Sequence, residues 1–171
     1  SGFDRGHLAA AADMSFDQVA MEESFLMSNI SPQERAFNHG IWRELEELTR
    51  DWARKFIKLY VVTGPVLTLP VKKYIGKNEV SVPAAYYKVL LDLSEPELKG
   101  IGFLIPNEIS EQPLADFAVS IDSVETLTGI NFFPQLMTSE LESSLEKKFD
   151  IKRWPFSAKK FELRVKRWNK E

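Results

Sequence analysis

The sequence predicts an α+β fold, with a central, mostly antiparallel sheet flanked by helices. Three observations carry that reading. Ile41, Leu45, Leu48, Trp52 and Phe56 recur at helical spacing and form one apolar stripe. Runs such as YVVTGP, YYKVLLDL and GIGFLIP are short, apolar and bounded by Gly, Pro or polar residues, as buried strands are. The strand candidates between Leu59 and Pro106 follow one another with no helical pattern between them, so helices and strands are segregated along the chain.

The elements follow in order. SFDQVAMEESF reads as a short helix, with Ser15 at the N-cap and Gln18 in the capping-box position. LMSNISPQ reads as a brief strand running into a loop at Pro32. The stripe of Ile41 to Phe56 predicts a long helix from Asn38 to about Leu59. LYVVTGP predicts a buried strand closed by a Gly-Pro turn, and EVSVP, YYKVLLDL and GIGFLIP are three more strands. Buried strands need neighbours on both sides. SIDSVETLTG predicts a helix capped by Ser120 and stopped by Gly129. SELESSLEKK predicts another, capped by Ser139 with Glu142 as its partner. FELRVKRW alternates, with Phe161, Leu163 and Val165 against Glu162, Arg164 and Lys166, which predicts a closing strand.

A chain of 171 residues suits a single domain over 1–171 with a real core. It has no cysteine, which excludes disulfides, thiolate metal sites and cysteine nucleophiles. No apolar run approaches the roughly 20 residues of a membrane span, and the first residues are too polar for a signal peptide. Net charge is −3 but unevenly spread: residues 147–171 hold ten Lys and Arg against three Asp and Glu. This basic C-terminal extension is either a solvated face or an electrostatic contact for a polyanion, with Lys159, Lys160, Arg164 and Lys166 as its carriers.

The residues also restrict the chemistry. The chain has no G-x-S-x-G elbow, P-loop or H-E-x-x-H motif, and two histidines without cysteine make a poor zinc site. A hard cation remains open, because Mg²⁺ needs only one or two protein oxygens. Asn38, Trp42, Glu46 and Arg50 lie four apart on the long helix and form one line on its surface. Asn38 could equally serve as an N-cap, and Glu46–Arg50 as a helix ion pair. The stretch DRGHLAAAADM adds a histidine beside an arginine. Histidine can act as a general base near neutral pH, arginine suits phosphate oxygens, and an amide oxygen can hold Mg²⁺. Those three groups meet the needs of phosphodiester hydrolysis. The glycine and alanines beside His7 leave its backbone unobstructed for an approaching phosphodiester, and for the alanines close packing is a compatible alternative. His39 reads as a surface or structural residue, since neighbouring helix positions point about 100° apart.

DRGHLAAAADM, followed by SNISPQ, by N..IWRELE...R, and by VVTGP, IPNE and LTGINFF, resembles the DNA/RNA non-specific endonuclease family. These are endonuclease G-like enzymes with a ββα-metal (His-Me finger) motif. The resemblance extends to about residue 135. It implies that His7 is the general base, that Asn38 ligates a single Mg²⁺ (with Mn²⁺ as the alternative metal), and that Arg5 contacts the phosphate. It further implies that Glu46 orders the metal's water shell, that Arg50 lies near the phosphate or those waters, and that Asn29 is a further active-site residue. Asp4 and Gln33 match motif positions without an assigned role.

The expected function is thus Mg²⁺-dependent hydrolysis of phosphodiester bonds in DNA and RNA, indifferent to the sugar. The alternatives are a catalytically silent nucleic-acid-binding relative and a subunit that depends on a partner. Family members often form homodimers. They are secreted or periplasmic in bacteria and mitochondrial in eukaryotes. In the family a substantial segment with sheet strands precedes D-R-G-H, so the expectation is a nuclease domain that associates with such a segment and is incomplete without it.

Overall fold

The computed structural model describes residues 2–171. An antiparallel ribbon pairs β1 (Phe3–His7) with β2 (Ile30–Glu34), and a short helix, α1 (Gln18–Glu23), lies between them. A turn of wider winding over Phe37–Trp42 leads into α2 (Arg43–Phe56). Next come β3 (Tyr60–Pro65), a small hairpin of β4 (Lys73–Ile75) and β5 (Val80–Val82), then β6 (Ala85–Asp92), β7 (Lys99–Pro106) and the short β8 (Ala118–Val119). Three helices close the chain: α3 (Ile121–Thr128), α4 (Ser139–Glu146) and α5 (Ala158–Lys166). Strands β3, β6, β7 and β8 form one four-stranded antiparallel sheet in that order. The predicted α+β architecture is therefore the observed one.

Strand alternation explains how the sheet is covered. Every residue of β6 is buried, and successive side chains face opposite sides. Tyr86 and Leu90 face the layer of α2, where they pack with Ile41, Leu45, Leu48 and Trp52. Ala85, Tyr87 and Val89 face the other way, against Ile121, Val124 and Phe132. The stripe read from the sequence is the inner face of the wider turn, at Ile41, and of α2, and each fully buried Leu or Ile in it contributes about 1.5–3 kcal/mol. Two charged positions of β6 break the apolar pattern: Asp92 at its end, and Lys88, which lies between Tyr86 and Leu90 and is only 2% exposed.

Several local readings are corrected. The strand at SNISPQ does not end at Pro32 but runs through it to Glu34. A two-stranded ribbon tolerates a proline because it has an edge that needs no N–H donor. The long helix is not continuous from Asn38: Gly40 has non-helical angles (φ −95°, ψ −107°), and α2 stops at Phe56 as the chain reverses toward β3. YVVTGP is an edge strand of the sheet, half-buried apart from buried Gly64 and exposed Val61. The first helix is capped by Asp17, which accepts from the Ala20 N–H at 2.9 Å, and α4 by Thr138. Ser120 and Gly129 (φ +72°) cap α3 as expected, the latter in the left-handed region where glycine has no Cβ penalty.

FELRVKRW is a helix and not a strand. Its inner face centres on Arg164, which is fully buried and donates to Glu44 Oε2 at 2.6 Å and to the carbonyls of Ser110 and Gln112. A charged residue facing inward defeats any reading of apolar alternation. The ion pair ties α5 to α2 and to the loop after β7.

Candidate active site

The ribbon places the residues of DRGH. His7 ends β1 opposite Ile30, and Arg5 stands opposite Pro32. Alternation puts exposed Arg5 and His7 on one side of the ribbon and Asp4 and Gly6 on the other. The His7 ring packs edge-on against Phe25, with centroids 4.7 Å apart. Its Nε2 is shielded and has no hydrogen-bond partner. Burial pushes the imidazole below its usual pKa, so the ring is neutral at pH 7 and can accept a proton.

Packing sets the residue at position 6. A Cβ there would collide with the Gln33 side chain, which is itself fully buried. The glycine is required by close packing inside the ribbon. Ala10 is likewise buried.

Asn29 fixes the chain just after His7. Its Oδ1 accepts from the Ala9 N–H at 2.9 Å, and its Nδ2 donates to the carbonyls of Ala9 (2.9 Å) and Ser24 (2.8 Å). The Leu8 N–H also reaches the Asn29 carbonyl at 3.0 Å. The whole amide is spent on backbone, so Asn29 orients the loop beside His7.

Asn38 follows β2 on the wider turn. Its Nδ2 donates to Asp4 Oδ2 at 3.1 Å, which leaves Oδ1 as the end able to take a cation. His39 Nε2 stands 3.1 Å from the same Asp4 oxygen, a structural role.

One turn into α2, Glu46 faces the sheet. Burial raises its carboxyl to about 7, against the fields of Lys88 and Arg50, which lower it. Arg50 does not pair with Glu46; its Nη1 donates to Asp13 Oδ1 at 2.9 Å. Trp42, the aromatic of the surface line read from the sequence, is fully buried in the core, so that line is not a continuous functional face. Lys88 Nζ donates to Thr63 Oγ1 at 2.7 Å and lies 5.1 Å from the Trp42 ring centroid. Burial pulls this lysine down, while Glu46 and Asp13 hold it up.

Two groups thus assemble, Asp4–Asn38–His39 and Glu46–Lys88–Arg50–Asp13. Among the described residues no hydrogen bond or ion pair links His7 directly to Asn38 or Glu46. A cavity of about 270 Å³ lies beside the second group, lined by Leu8, Ala9, Asp13, Asn29, Thr63 and Lys88. The available donors, an amide oxygen and carboxylates, are hard oxygens suited to Mg²⁺ or Mn²⁺ and not to soft metals. Sequence reading missed Lys88 and Asp13. The signal for Lys88 was a lysine in the middle of the apolar run YYKVLLDL.

Comparison with known proteins places the chain among nucleases. Residues 1–139 match the family model described as DNA/RNA non-specific endonuclease. The chain is 39% identical over 150 residues to mitochondrial endonuclease G of Bos taurus, covering 80% of this chain and 50% of that protein. It is 39% identical over 160 residues to mitochondrial nuclease EXOG of Homo sapiens, covering 84% and 43%. With nuclease C1 of Cunninghamella echinulata var. echinulata it shares 40% over 154 residues, covering 82% and 61%. Among solved structures, the crystal structure of an EndoG/EndoGI complex superposes with a TM-score of 0.73 at 36% identity, covering 80% of this chain and 61% of that one. The chain spans about half the length of the mitochondrial relatives it matches.

Proposed function

Because this chain belongs to the DNA/RNA non-specific endonuclease family, we propose that it carries the catalytic centre of a Mg²⁺-dependent endonuclease acting on DNA and RNA. The observation that carries the reading is His7: a half-buried imidazole, held neutral by burial, with its Nε2 unpartnered. A neutral histidine takes a proton from an attacking water near pH 7.

Asn38 Oδ1 would hold the metal, with Glu46 arranging its waters. Bound there, Mg²⁺ would offset charge developing on the phosphate. Arg5, exposed on the His7 side of the ribbon, supplies a fixed cation for a phosphate oxygen. Asn29 keeps the loop after His7 in place, and Arg50 pins Asp13 while lowering Glu46 by its field. Contacts made to backbone phosphate and not to base edges carry no sequence information, which accounts for a substrate range covering both nucleic acids.

The relatives named as mitochondrial support a mitochondrial site if the source is eukaryotic; for a bacterial source the proposal is a secreted or periplasmic one. No helix among the described residues is long and apolar enough to cross a membrane. We further read residues 1–171 as one nuclease domain that associates with a preceding segment and forms a homodimer. Digestion of plasmid and of RNA with Mg²⁺, then with EDTA, tests the proposal. Cleavage of both substrates that EDTA abolishes supports it, and binding without cleavage identifies a silent relative.

A further inference from the structure

A second cluster of charge lies outside the site described above. Asp122 and Glu125 are three apart on α3, and Glu142 and Glu146 are four apart on α4. Such spacings place each pair on one helix face, and α3 packs beside α4. Carboxylate oxygens of Asp122, Glu125 and Glu146 all lie within 4.8 Å of one another. Like charges this close repel, and no salt bridge among the described residues engages any of the four.

A second observation points to a ligand. Glu146 is only 3% exposed, and its Oε1 is shielded from solvent with no hydrogen-bond partner. Glu125 by contrast is anchored, accepting from the Phe132 N–H at 2.6 Å. An unpartnered carboxylate oxygen buried against two other acids requires a cation or a proton.

We propose that Asp122, Glu125 and Glu146 form a binding site for a hard divalent cation, Ca²⁺ by preference, that fastens α4 to α3. Calcium takes six to eight oxygens at about 2.3–2.6 Å, so oxygens on opposite sides of the ion stand about 4.6–5.2 Å apart. Oxygens that all lie within 4.8 Å of one another are close enough to share one such ion. Magnesium holds its oxygens closer and keeps most of its waters, which suits three carboxylates less well. Glu142, on the same face of α4, can add an oxygen directly or through water. Glu146 lies beyond the stretch that matches the family, while Asp122 and Glu125 lie within it, and none of the three belongs to the catalytic reading, so the site is independent of it.

The test is thermal unfolding of the intact protein that carries this chain, in EDTA and in millimolar Ca²⁺. The parent should gain on the order of 5 °C with calcium near 100 times its Kd. Glu146→Gln and, as a second variant, Asp122→Asn should lose that gain, while Asn38→Ala should keep it. Three outcomes overturn the proposal: no gain in the parent, a gain retained by both cluster variants, or a gain lost only in Asn38→Ala. A parent that ignores calcium but is stabilised as the pH falls below 8 identifies a shared proton in place of the cation, and also overturns it.

Discussion

Asp4 Oδ2 accepts a hydrogen bond from Asn38 Nδ2 at 3.1 Å, so the first strand of the ribbon decides which end of the Asn38 amide is free. The bond fixes the rotamer and leaves the oxygen for a cation. Groups that orient a metal ligand typically change affinity by about 10–100-fold when removed. Asp4→Ala should therefore raise the Mg²⁺ concentration for half-maximal cleavage by roughly that factor, with little change in the rate at saturating metal. His39→Ala should have a smaller effect. A metal titration of the cleavage rate distinguishes the two.

Lys88 should act through Glu46. Its field lowers a carboxyl that burial raises to about 7. In Lys88→Met that field is gone, Glu46 climbs further, and it ionises only at higher pH. The acid limb of the pH–rate profile should move upward, with activity recovered as the pH is raised. An unmoved limb would reduce Lys88 to a packing residue.

Gly6 and Gln33 should couple. A Cβ at position 6 meets a side chain with no exposure, and overpacking of this kind costs about 1–3 kcal/mol. Gly6→Ala should lose stability of that order in urea unfolding. The double variant Gly6→Ala, Gln33→Ala should lose less than the sum of the two single variants, as residues in contact do.

The basic C-terminal part divides into two kinds of charge. Arg164 is buried against Glu44, and Lys160 pairs with Glu47 and Asp51. Arg164→Met should cost about 3–5 kcal/mol, because a buried carboxylate loses its partner, and should leave the salt dependence of nucleic-acid binding alone. Lys147, Lys148, Lys159 and Lys170 are exposed. Neutralising these four should flatten that salt dependence, by about 0.9 in slope for each phosphate that is no longer neutralised. An unchanged slope makes them a solvated face.

These particulars indicate what the sequence could and could not convey. The inner stripe of α2, the buried β6 and the caps of α3 were legible because periodicity and capping are local properties. DRGH and Asn38 were legible as a motif. Arg164 was not, because its partners Glu44, Ser110 and Gln112 are 52 to 120 residues away in sequence. The same holds for Lys88: a lysine in an apolar run signals something, but only the packing of β6 on α2 brings it to Glu46. Asn29 stood out only as part of SNISPQ, and its side-chain hydrogen bonds, all to backbone, emerged only from the fold.

The central claim is that His7 is the base. The most direct measurement is the plasmid cleavage rate of His7→Ala against the parent in metal-replete buffer, with DNA binding measured alongside. General-base assistance contributes about 10²–10⁴-fold, so the rate should fall by that order. Binding should stay near the parental level, and added imidazole should restore part of the rate. Cleavage by His7→Ala at the parental rate would contradict the account at its centre.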